Sequence, residues 1–235
     1  MKKLALGLLL AASSLVNAET FFKDQSLTFL SGNDYAAGDE ERYVVTYEYF
    51  SVHDWGDVFA FVDRLHDKND GGRETYIEVS PNFNLVTFKD GFVNSVKLAT
   101  TWEMSEFDDN LLVGLGAGLN LPGFAHFGAN VYQSFNDSTD DNQQLTLTWG
   151  LPFNVAGQEF MYDGFWDYET ELADPITGDK NSSSNFTSQL KWDIAKLVGF
   201  DNKLYVGVEY ALWDNKFNLE NEDENNVNLL LKAHF

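Results

Sequence analysis

The stretch "WGDVFAFVD" sets Asp57, Phe59, Phe61 and Asp63 on one parity, with Val58, Ala60 and Val62 on the other. Acids interleaved with aromatic rings suit one kind of chemistry. Ring faces stack on a flat solute and polar groups hold its hydroxyls and edges, weakly enough for release. The opposite arrangement puts the rings on an apolar surface and the acids at its margins, and alternation alone leaves both open. The same parity argument points Tyr76 and Glu78 inward, and Tyr132 with them. Further along it adds Asp163, Phe165 and Asp167, and then Tyr205, Glu209 and Trp213. Arg42, Lys97 and Lys191 share that face, and pairing with acids on neighbouring strands is the role expected of them.

Other chemistries have less behind them. The chain has no cysteine, which excludes disulfides and thiolate metal sites. His53, His66, His126 and His234 show no metal-ligand spacing, and "DKNDGG" lacks the ligand order of a calcium loop. No metal, cofactor or catalytic set is expected. His126 and Ser134 share a face, so a barrel hydrolase stands as a lesser alternative. Gly114, Gly116 and Gly118 precede no helix, so they are not a phosphate loop; they are expected to make room in a crowded interior.

These residues must be positioned by strands. In "ETYIEVSPNFNL", Ile77, Val79, Phe83 and Leu85 oppose Tyr76, Glu78, Asn82 and Asn84. "SVKLATTWEM", "LLVGLGAGLNL", "NFTSQLKWDI" and "KLYVGVEYAL" repeat the pattern. Such segments recur near 25–31, 42–50, 56–64, 74–86, 94–104, 110–120, 124–135, 143–151, 158–168, 185–194, 203–213 and 226–235. Many approach the roughly ten residues that a tilted strand needs to cross a bilayer. Short connections such as "NLPG" and "PFNVAGQ" alternate with longer acidic ones such as "GNDYAAGDEE" and "NDSTDDN". The expected fold is all-β, a closed antiparallel transmembrane β-barrel of about twelve strands. A secreted sandwich or lipocalin-like barrel also alternates, with its apolar face inward.

The ends favour the membrane. Residues 1–18, "MKKLALGLLLAASSLVNA", read as a secretory signal cleaved after Ala18, leaving 19–235 as the barrel. The chain stops on Phe235, at the end of a strand with Val227, Leu229, Leu231 and Ala233 on one parity. That parity needs lipid outside, and the strand needs the first strand beside it so that no edge remains. A net charge of −22 argues against nucleic acid as a partner, while 15% aromatic residues suit strands that are apolar on every second position.

Six stretches in order resemble the Tsx/OmpK family of nucleoside-specific channel proteins. They are "SLTFLSGNDY", "WGDVFAFVD", "YIEVSPNFNL", "GLGAGLNLPGFAHFGANVY", "LPFNVAGQEFMYDGFWDY" and "YVGVEYALWDNKF". The resemblance implies a Gram-negative outer-membrane barrel, not an enzyme, that passes nucleosides and deoxynucleosides by diffusion. It makes the inward acid–aromatic set the substrate-binding lumen. Some members also serve as phage receptors, so a surface-binding barrel with little transport is the alternative. A terminal aromatic such as Phe235 resembles the signal read by the barrel-assembly machinery. A monomer among lipid and lipopolysaccharide is expected. On the lumen parity Ala99→Arg and Gly207→Ser are expected to assemble, whereas Leu98→Arg and Val208→Arg on the lipid parity are not.

Overall fold

A computed structural model describes residues 19–173 and 178–235; the signal segment expected at 1–18 lies outside the described residues. The strands are β1 (Thr20–Gly32), β2 (Arg42–His53), β3 (Gly56–Asp67), β4 (Arg73–Thr87), β5 (Val93–Met104) and β6 (Asp109–Leu119). They continue as β7 (His126–Phe135), β8 (Asn142–Val155), β9 (Gln158–Ala173), β10 (Lys180–Asp193), β11 (Leu204–Asp214) and β12 (Glu224–His234). Each pairs antiparallel with its sequence neighbours, and β12 returns to β1, so the sheet is a closed barrel of twelve strands.

Closure explains the apolar terminus. Ser26 faces His234 and Phe29 faces Leu231 across the seam, and the Phe235 N–H donates to the Gln25 carbonyl at 3.0 Å. In β12 the polar parity is buried and the apolar parity exposed: Asn226 is 0% and Asn228 1% exposed, against 69% for Leu229. A soluble barrel would reverse that order, which rules out the lipocalin-like alternative. Elsewhere Leu98, Trp102, Leu115, Val131, Leu190 and Val208 are exposed on the outer face. Among the described residues no helix is long and apolar enough to cross a membrane; the strands do so.

Strand ends differ from the sequence reading. β1 begins at Thr20 rather than 25, and β10 at Lys180 rather than 185. Adjacent Phe21 and Phe22 in β1 and the polar run at the start of β10 mask the alternation, while backbone pairing continues past it. The connection after β10 contains one helical turn, α1 (Ala195–Val198), capped by Gly199 at φ 72°. β8 and β9 meet in a two-residue turn with Ala156 at φ 50° and Gly157 at φ 82°, the signs a primed hairpin turn requires.

Close packing overturns two tolerance expectations. Ala99 is fully buried against Leu112 and Tyr132, leaving no room for an arginine. A Cβ on Gly207 would lie 2.1 Å from the Leu190 carbonyl oxygen, so Gly207→Ser forces the strand to shift. The glycines of β6 do make room: a Cβ on Gly116 would lie 2.2 Å from Asn130 Oδ1.

Candidate functional site

The lumen is built by the inward parity of each strand. β3 runs in unbroken register between β2 and β4, so Asp57, Phe59, Phe61 and Asp63 share one face. The Phe59 and Phe61 ring centres are 5.9 Å apart, and Phe61 lies 5.8 Å from Tyr76. Polar groups bracket this aromatic ladder. The Thr46 hydroxyl donates to Asp63 at 2.5 Å, and the Tyr76 hydroxyl donates to Glu78 at 2.8 Å. Glu48 stands opposite Phe61 on β2, and Glu78 stands opposite it on β4.

β9 faces the ladder across the lumen. Asp163, Phe165, Asp167 and Glu169 alternate along it, with Phe165 between Thr148 of β8 and Thr187 of β10. Thr146 donates to Asp167 at 2.5 Å. β3 and β9 lie six apart in the closed order of twelve strands, so the two acid–aromatic sets face each other across the bore, and Asp167 interacts electrostatically with Glu78 and Tyr76. Glu103, directly opposite Glu78 in register, joins them. Among the described residues Glu78, Glu103, Asp167 and Glu169 form no ion pair; their partners are hydroxyls and carboxamides.

The cations sit elsewhere. Lys191 donates to Asp163 at 2.6 Å and to Gln189 at 2.9 Å, and its ammonium lies 5.6 Å from the centre of the Tyr205 ring. Lys232 pairs with Glu48, and Lys97 pairs with Asp57. Glu209 accepts from Gln189 at 2.7 Å and from Asn228 at 3.1 Å. At the long-loop end Arg42 pairs with Asp67 at 2.7 Å and approaches Glu74 at 3.9 Å. Lys216, paired with Glu224, lies 5.0 Å over the Trp213 ring at that mouth. Tyr132 is packed into the wall and accepts from Asn130 at 2.9 Å. His126 and Ser134 sit eight positions apart on β7, and Ser134 donates to Asn136 rather than to the histidine.

Sequence reasoning left out Glu48, Glu103, Glu169, Lys232 and Tyr35. Glu103 and Lys232 lay on the polar parity and were legible there. Glu48 shares its parity with Arg42 and Thr46, but Val44 and Phe50 on the same parity blur the contrast with Tyr43, Val45 and Tyr47. Tyr35 lies in a loop, where alternation says nothing. A cavity of about 600 Å³ lined by Trp149, Tyr162, Trp166 and Phe186 lies on the outer wall, facing hydrocarbon rather than the bore.

A closed barrel with an apolar outer wall and a charged, aromatic bore belongs to the class of outer-membrane channels. The family model for the nucleoside-specific channel-forming protein Tsx matches residues 21–232, and the chain belongs to that family. It is similar to the outer membrane protein OmpK of Vibrio parahaemolyticus, 23% identical over 90% of this chain and 91% of that one. Among solved structures the NanC porin aligns with a TM-score of 0.57 at 9% identity, over 87% of this chain and 98% of that one. The KdgM porin aligns at 0.52 and 9%, over 91% and 99%, and at this identity both likenesses bear on fold alone.

Proposed function

We propose that this outer-membrane channel passes nucleosides and deoxynucleosides by passive diffusion, along a path lined by the Phe59–Phe61–Tyr76 ladder and the facing Asp163–Phe165–Asp167 strand. The observation that carries the reading is the ladder itself, three rings at stacking separation with acids and hydroxyls at their edges. A base takes a ring face, worth about 1–3 kcal/mol per stacked base. The ribose hydroxyls take the carboxylates. Acids held by hydroxyls rather than by cations keep acceptor capacity for a passing solute. Lys97 and Lys191 are engaged by Asp57 and Asp163, so their role here is to neutralise the wall. The family supports the nucleoside assignment.

The same reading gives Phe235 to the barrel-assembly machinery and the acidic loops to the lipopolysaccharide surface, with phage contact as a second use of those loops. Liposome swelling with a nucleoside and a sugar of similar size tests the transport reading. Wild type should pass the nucleoside faster. Phe61→Ala should lower that ratio while the folded band on an unheated gel persists. An unchanged ratio in Phe61→Ala would remove the ladder from the solute path, and no permeation by either solute would end the channel reading.

A further inference from the structure

The loop between β1 and β2 does not stand clear of the mouth. Tyr35 is only 8% exposed although it belongs to no strand. Its ring packs with Leu30, Val44 and Leu230, residues on the inward parity of β1, β2 and β12. The hydroxyl donates to Asn228 Oδ1 at 2.7 Å, and the Arg42 guanidinium lies 5.7 Å from the ring centre. Gly32 leaves the space: a Cβ there would lie 2.0 Å from Asn228 Oδ1 and 3.0 Å from Tyr35 Cε2.

An apolar floor, a cation over one face and a buried carboxamide at the far edge form a niche for a flat ring with a hydrogen-bonding edge. Asn226 and Asn228, both almost fully buried, are costly groups to place on a wall unless something hydrogen-bonds to them. Tyr35 and the loop do so now.

We infer that Tyr35 is a self-plug: it fills a ring niche in the lumen wall near the mouth, and the ring must leave before a flat solute can use that niche. The loop backbone is pinned on both flanks. Asp34 N–H donates to Asn226 at 3.3 Å and Ala36 N–H to Glu224 at 3.1 Å, while Asp39 accepts from the Asn69 N–H at 2.7 Å. The moving part is therefore the side chain, and the loop stays. That the natural competitor is a nucleobase rests on the nucleoside reading above; the plug itself does not.

The experiment is single-channel conductance in planar bilayers for wild type, Tyr35→Phe and Tyr35→Ala, each checked for folding by gel mobility. Tyr35→Ala should conduct severalfold more ions than wild type, with Tyr35→Phe between them because it keeps the ring and loses the Asn228 bond. Added p-cresol, the detached side chain, should return Tyr35→Ala toward the wild-type level and leave wild type unchanged. Equal conductance in folded Tyr35→Ala and wild type overturns the plug. A rise that p-cresol does not reverse overturns the niche. Adenosine then separates this inference from the one beneath it. If p-cresol closes Tyr35→Ala and adenosine alters the current of neither protein, the plug stands and the nucleoside reading falls.

Discussion

An arginine at Val208 should be far more damaging than an arginine at Gln144, on the parity that faces the bore. Val208 lies near the middle of β11, on the outer face, between Leu190 and Leu229 in the neighbouring strands. All three side chains are exposed, which in a membrane means exposed to hydrocarbon. A guanidinium there finds no acceptor and costs about 2–4 kcal/mol at the bilayer midplane. At about 1.4 kcal/mol per tenfold, the folding equilibrium shifts by roughly 30- to 700-fold. Gln144→Arg is the control. Gln144 faces the bore opposite Glu169, near Asp167, so the new cation meets acids. Both variants are refolded into vesicles and titrated with urea, and the folded fraction is read from heat-modifiable gel mobility. Val208→Arg should lower the midpoint strongly or fail to fold, and Gln144→Arg should stay near wild type. Equal loss in the two variants would refute the assignment of inner and outer faces.

Lys191→Met removes the cation beside Asp163 and should destabilise by about 3–5 kcal/mol in the same titration, with Lys191→Met/Asp163→Asn recovering much of it. Ala156→Asn relieves a left-handed alanine in the β8–β9 turn and should raise the urea midpoint by about 1 kcal/mol equivalent. Asp39 in the first loop accepts from the backbone N–H groups of Glu41 and Asn69, which lowers its pKa below the ordinary carboxylate range. A lowered pKa means that the contact with the loop between β3 and β4 is fully present above the ordinary value and is lost as pH falls through the lowered one. Hydrogen exchange at Glu41 and Asn69, corrected for its intrinsic pH dependence, should lose protection over that acid range in wild type. Asp39→Asn should show no such step. A step that persists in the variant assigns it to another group.

Much of this protein is legible in the one-dimensional alternation. Val227, Leu229, Leu231 and Ala233 share one parity, which marks a strand with one apolar face, and the burial of Asn226 and Asn228 then puts that face on the outside of a closed barrel. The same alternation puts Phe59 and Phe61 with Asp57 and Asp63, because side-chain parity is a property of the extended backbone and needs no tertiary information. It fails where parity is silent. In β2 Val44 and Phe50 share the parity of Thr46 and Glu48, which blurs the polar side, and the pairing of Glu48 with Lys232 is set only by the fold. Tolerance at Ala99 and Gly207 was misjudged because facing inward says nothing about how much space is left inside. Which strands confront each other across the bore is set by barrel closure, as with Glu78 and Asp167, residues 89 positions apart in sequence. The seating of Tyr35 in the lumen was likewise decided only by the fold. A loop carries no periodic signal, and the niche it fills exists only once β1, β2 and β12 are side by side.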